Sequence, residues 1–143
     1  FAHEHFIKHY DENIQQGRWI SEGETGGLTD AEANDYGVDY KCPTSLEKWL
    51  SYLFDGISDD EFNQCQMYMR LTKKPLWKIA AYLCETQKMS DYGLTYPVGE
   101  DNRMIIIRVD ADARWNDKFE SNLPQVIRMR DEFIAKLNDR FNA

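Results

Sequence analysis

Asp39 and Lys41 stand two positions apart in the stretch Gly37-Val38-Asp39-Tyr40-Lys41-Cys42-Pro43. Val38 and Tyr40 are strand formers. Alternate side chains of a strand share a face, so the carboxylate and the ammonium leave together. Pro43 ends the run because it offers no N–H to a ladder. Charges on a short, otherwise apolar strand are costly to bury unless paired or bound to something. A divalent cation would satisfy the carboxylate, and the lysine could then face a phosphate or a water. Asp30, just after the glycine-rich Gly26-Gly27, supplies a second carboxylate. The resulting order is Asp, a short gap, then Asp-x-Lys. Read alone, the triplet also describes a solvated edge strand whose salt bridge is worth at most about 1 kcal/mol.

Other side chains could join this chemistry. Gln64 and Tyr68 are four positions apart and share one face of a helix. Lys73, Lys74 and Lys78 form a small basic group that could meet phosphates or simply face solvent. His5 and His9 have the i, i+4 spacing of a zinc pair, but no third ligand is evident from the sequence. Trp49, Trp77 and Trp115 could stack on bases, although their apolar neighbours place at least two of them in the core.

The elements that must position these residues follow from periodicity. Residues 1–16 read as a helix closed by Gly17, and Arg18 to Asp30 as a polar stretch with a short strand at 19–21. The central strand is followed by two helices. Thr44 with Glu47 caps the first and Ser58 with Glu61 the second, both in the capping-box pattern. The second helix runs from Asp59 to Thr72. Leu76–Cys84 and Met104–Val109 have the length and composition of strands. A polar loop joins them, and residues 112–141 form a long amphipathic helix interrupted at Pro124. The pattern predicts one α/β (α+β) domain over residues 1–143, with a central mixed sheet flanked by helices.

Composition narrows the class. The 143 residues suit one core. The net charge of −8 argues against a protein that merely coats nucleic acid. It is compatible with an enzyme that holds metal ions through carboxylates. No apolar run approaches the roughly 18–20 residues that span a bilayer. Cys42, Cys65 and Cys84 form no CxxC pair, which excludes zinc-ribbon and thioredoxin motifs. Free thiols fit a reducing, cytoplasmic setting.

From about Thr25 to Tyr82 the chain resembles the phage lambda exonuclease and YqaJ-type viral recombinases, a RecB-like branch of the PD-(D/E)XK nucleases. The resemblance is carried by Thr29-Asp30, by Asp39-Tyr40-Lys41-Cys42-Pro43, by Gln64-x-x-x-Tyr68, by Leu71-Thr72 and by the terminal helix. It implies a restriction-endonuclease-like core. It also implies a metal-dependent DNA nuclease, foremost a 5′–3′ exonuclease of phage-type recombination. An endonuclease of the same fold is one alternative. A non-catalytic module that binds nucleic acid or protein is the other.

The same resemblance implies roles for individual residues. Asp30, Asp39 and the Tyr40 carbonyl would hold Mg²⁺, with Mn²⁺ as a substitute. Lys41 would orient or activate the attacking water and Gln64 would position it. Tyr68, Lys73 and Lys74 would contact substrate. Glu4 would be the family's upstream helical glutamate and a further metal ligand, with Glu22 and Glu24 as rivals. A second register sets Thr25-Gly26-Gly27-Leu28 against the family's Pro-Asp-Gly-Leu. It would place Gly26 where the first aspartate belongs. The short Gly17–Asp30 segment implies that a strand or hairpin is lost. Duplex DNA ends, a ring-shaped trimer and a single-strand annealing protein are the partners the family implies, in the bacterial or phage-infected cytoplasm.

Overall fold

The structure is a computed structural model and describes residues 1–142. It falls into two compact units, Phe1–Ala111 and Asp112–Ala143. All the candidate site residues belong to the first.

The elements of the first unit run in order. They are α1 (Ala2–His9), β1 (Gln15–Gln16), β2 (Trp19–Glu22), β3 (Thr25–Leu28), β4 (Ala31–Glu32) and β5 (Tyr36–Lys41). There follow α2 (Leu46–Phe54), α3 (Asp59–Thr72), β6 (Leu76–Tyr82), α4 (Gln87–Asp91), a 3-10 turn (Glu100–Asn102) and β7 (Met104–Asp110). The main sheet has the order β1-β4-β5-β6-β7. Only β5 and β6 pair in parallel, and the other neighbours are antiparallel. The expected central mixed sheet with flanking helices is therefore present. β2 and β3 form a separate antiparallel hairpin, in the segment where the sequence implied a loss.

β6 explains why the sheet has helices on both faces. Trp77, Ile79, Ala81 and Leu83 point one way and pack with Trp49, Tyr52, Cys65 and Met69 of α2 and α3. Ala80 and Tyr82 point the other way and pack with Ala2 and Phe6 of α1. A strand covered on both sides reads as a continuous apolar run, which is how Leu76–Leu83 reads. β5 splits in the same manner. Val38 and Tyr40 join the α1 side, so Gly37, Asp39 and Lys41 must face α3.

Gly37 is fixed by this packing. A Cβ there would lie 2.1 Å from Trp77 Cη2, so the indole, itself fully buried, fills the space a side chain would need. Trp77→Ala is expected to cost about 3–5 kcal/mol, measured by chemical denaturation. An unchanged midpoint and slope would show that the indole is not a core anchor.

Local signals decide the boundaries. α1 stops at His9 rather than Gln16 because Asp11 Oδ1 accepts from Asn13 N at 2.9 Å, a turn that competes with the helix. Ser45, not Thr44, caps α2, accepting from Lys48 N at 3.2 Å. The Ser58–Glu61 capping box on α3 forms as expected. The second unit is α5 (Ala113–Phe141), with Pro124 inside it. Its Val126, Met129, Phe133 and Leu137 fall on one stripe at helical spacing.

Candidate active site

The site forms where β4 stops short beside β5. Ala31 lies opposite Val38 and Glu32 opposite Gly37. One more step in that register sets Asp30 opposite Asp39. Tyr36 O accepts from Ala33 N, so residues 36, 38 and 40 turn their backbone polar groups toward β4. Asp30 and Asp39 are then a non-hydrogen-bonded cross-strand pair, the kind whose side chains lie closest. Two like charges in that arrangement repel unless a cation lies between or beside them. Gly26 pairs with Ser21 in the separate hairpin. In this register Asp30, and not Gly26, lies beside Asp39.

Beyond the end of β4, Asp30 Oδ2 accepts from Tyr40 N at 2.8 Å, taking the place of a further ladder bond. The Tyr40 carbonyl leaves the strand toward the same edge as its N–H. Asp30, Asp39 and the Tyr40 carbonyl all lie at the end of β5 that runs past β4.

Asp39 is buried, with Lys41 Nζ 2.7 Å from its Oδ2. That contact is an ion pair without a well-directed hydrogen bond, because Oδ2 has no hydrogen-bond partner of acceptable angle. Burial pushes the Asp39 carboxyl up, Lys41 pulls it down, and the neighbouring Asp30 carboxyl raises it again, leaving it above the usual range. Burial alone would lower the Lys41 ammonium. Its contact with Asp39 more than reverses that and holds it above the ordinary lysine range. Lys41 is a fixed positive charge at neutral pH.

α3 supports this charge from the other side. Lys41 Nζ donates to Gln64 Oε1 at 3.2 Å, and Gln64 Nε2 donates to the Tyr68 hydroxyl at 3.0 Å. Tyr68 is buried and its ring lies 5.2 Å from that of Trp77. The relay Tyr68–Gln64–Lys41–Asp39 therefore runs from the core to the sheet edge.

The oxygen-only donor set fits a hard divalent cation. Buried Asp39 Oδ2, whose contact with Lys41 is not a well-directed hydrogen bond, is where such an ion would find a ligand. Mg²⁺ is commonly held by one or two carboxylates and keeps several waters, which two aspartates and a carbonyl can satisfy. Among the described residues no three His, Cys, Asp or Glu side chains converge to hold a metal.

Several candidates stand elsewhere. The side chain of Glu4 is exposed, 3.9 Å from the amino group of Phe1, and does not converge with Asp30 and Asp39. A polar α1 residue that does reach β5 is His3, whose Nδ1 is 2.9 Å from the Tyr40 hydroxyl. One helical step separates His3 from Glu4, and sequence spacing alone could not choose between them. Glu22 pairs with Lys73 at 2.8 Å. Lys74 is largely buried, donating to the carbonyls of Ala33 and Asn34 and lying 3.7 Å from Glu32. It ties α3 to the β4–β5 turn rather than facing a substrate. Tyr68 is likewise turned inward, onto Gln64.

The His5 and His9 rings stack at 4.3 Å, and Trp49 and Trp77 are core residues. Glu32 was not legible as a structural anchor. It is largely covered by Thr29, Arg18 and Lys74, and its position on a two-residue strand leaves no periodic signal.

Comparison with known proteins places the fold. No family model and no curated protein matches the chain. Among solved structures, an alkaline exonuclease of Laribacter hongkongensis superposes with a TM-score of 0.73 at 14% identity, over 99% of this chain and 69% of that one. The same enzyme in complex with dAMP gives 0.73 at 15%, over 99% and 68%. A phage-related exonuclease of Haemophilus somnus gives 0.75 at 14%, over 95% and 68%. The chain has the fold of these exonucleases, as the resemblance in its motifs implied.

Proposed function

We propose that this chain is a metal-dependent nuclease of the lambda-exonuclease type, acting on DNA ends. The observation that carries the reading is the corner at β5. It holds a cross-strand aspartate pair, a main-chain carbonyl and a lysine held cationic, on a fold shared with two exonucleases. No helix among the described residues is long and apolar enough to cross a membrane.

Asp30, Asp39 and the Tyr40 carbonyl would hold Mg²⁺ or Mn²⁺. Bound there, the ion would supply Lewis-acid polarisation of a phosphate oxygen and a lowered pKa for a coordinated water. The chain's own residues do the rest. Asp39 fixes Lys41 through their 2.7 Å contact. Lys41 presents a point charge to the phosphate, where negative charge grows as the phosphodiester is attacked. Gln64 restrains the lysine, and buried Tyr68 restrains Gln64. Preorganised groups of this kind need no rearrangement during the reaction.

End-labelled linear and circular duplex substrates test the proposal. Release of mononucleotides from linear DNA with circular DNA left intact is expected. Nicking of the circle would assign an endonuclease instead. Tyr68→Phe removes the acceptor of Gln64 and should slow cleavage about 3- to 10-fold, the scale of one neutral hydrogen bond. Equal single-turnover rates would take the relay out of the mechanism.

The family's upstream helical glutamate, matched in sequence by Glu4, is tested separately from the corner at β5. If it joins the metal site, Glu4→Gln weakens Mn²⁺ binding measured calorimetrically in the presence of DNA. Unchanged affinity there, with a loss on Glu24→Gln, would pass the assignment to Glu24.

A further inference from the structure

The β2–β3 hairpin has a face that the nuclease mechanism above does not use. Its inner face is packed. A Cβ on Gly27 would lie 2.9 Å from the Tyr68 ring and 3.5 Å from Leu71. Strand alternation therefore turns Trp19, Ser21, Gly26 and Leu28 to the outer face. Trp19 and Leu28 are direct cross-strand partners there. Both are open to solvent, at 66% and 60% exposure.

Trp19 is held in place despite that exposure. A Cβ on Gly26 would come within 2.8 Å of its Cζ2 and 3.4 Å of its Cη2. The indole therefore lies across the bare backbone of Gly26, with one side against the hairpin. A large aromatic ring fixed from behind and open in front is costly to leave in water unless something covers it.

Its position says what covers it. Leu28 is two residues from Asp30, and the hairpin is extended to that point by Thr29 N donating to Arg18 O at 3.1 Å. Leu28, Thr29, Asp30, Tyr40 and His3 line one cleft of about 410 Å³. The exposed Trp19–Leu28 rung thus adjoins, through Leu28, the cleft that holds Asp30.

We propose that Trp19 is a stacking platform for an unpaired base of the nucleic-acid strand whose phosphate lies at Asp30 and Asp39. This rests on the nuclease reading above and adds a substrate contact to it. Every base has an aromatic face, so stacking of this kind tolerates any sequence. It would hold a frayed or single-stranded end at the cleft while leaving the chemistry to β5.

The test is single-turnover cleavage, in Mg²⁺, of an end-labelled duplex carrying a short single-stranded end, over a range of enzyme concentrations. Trp19→Ala should raise the half-saturating concentration about 5- to 150-fold, the scale of losing one stacked base. The maximal rate should change less than about threefold, since stacking away from the reacting atoms contributes uniform binding. Trp19→Phe should recover most of the loss. Gly26→Ala, which pushes the ring off its seat, should lose affinity as well. Mn²⁺ affinity should be the same in all four proteins.

An unchanged half-saturating concentration in Trp19→Ala overturns the platform while leaving the nuclease reading intact. If the wild type does not cleave, the nuclease reading fails first. Fluorescence anisotropy with a labelled single-stranded oligonucleotide then decides the platform. Weaker binding by Trp19→Ala upholds it, and equal binding or no binding by either protein overturns it. A variant that alters only the sedimentation of the protein would make Trp19 a contact between copies of the chain, which also overturns the proposal.

Discussion

Asp39→Ala is expected to abolish divalent-cation binding and DNA cleavage together, with turnover falling about 10³-fold or more. Asp39 is buried on the α3 face of β5, opposite Asp30 in the register of the β4–β5 hairpin. Its Oδ2 has no well-directed hydrogen bond. Removing this carboxylate takes away one of the two proposed acidic ligands and the partner that fixes Lys41. Thermal unfolding gives an independent reading. A ligand that binds only the folded state, present at about 100 times its Kd, adds about 2.7 kcal/mol of stability. Mn²⁺ should raise the midpoint of the wild type and leave that of Asp39→Ala where it is. Equal shifts in both proteins would place the cation elsewhere.

Lys41→Ala should separate the two properties. An ammonium has no lone pair to give a metal, so Mn²⁺ binding should persist. It should even tighten somewhat, because a cation 2.7 Å from the ligand oxygen has been removed. Turnover should fall about 10²-fold or more, the scale of losing one electrostatic or acid–base group. Calorimetry with Mn²⁺ beside single-turnover cleavage measures both. Equal cleavage rates would make Lys41 a structural counter-ion to Asp39 and nothing else. Lys41→Arg is a useful companion. The charge survives, but the planar guanidinium cannot repeat the point contact with Gln64, so intermediate activity is expected.

Some of this was legible in the sequence and some was not, for physical reasons. Alternation along Val38-Asp39-Tyr40-Lys41 gave the strand and the shared face of the two charges, because a strand's period is fixed at two. The Gln64–Tyr68 pairing followed equally from helical spacing. Whether Asp30 or Gly26 takes the first-motif position was open between two registers, the second of which lacks that carboxylate. A hairpin's register depends on where its strands end, and β4 is only two residues long. The β2–β3 hairpin was missed because two of the four β3 residues are glycine, which carries no strand signal. Those glycines matter only through what lies over them, Trp19 on one side and Tyr68 on the other. Lys74 looked like a phosphate contact because a sequence shows its charge and not its burial. The fold gives that charge to Glu32 and two carbonyls.

In the proposed function, a divalent cation held at the Asp30–Asp39 corner makes this chain a nuclease. A titration of Mg²⁺ and Mn²⁺ into wild type and Asp30→Asn, with end-labelled linear duplex DNA as substrate, tests it most directly. The wild type should release nucleotides in proportion to site occupancy and stop when EDTA is added, while Asp30→Asn should require a much higher cation concentration for any product. Cation-independent cleavage by the wild type, no cleavage at any concentration, or identical titration curves for the two proteins would contradict it.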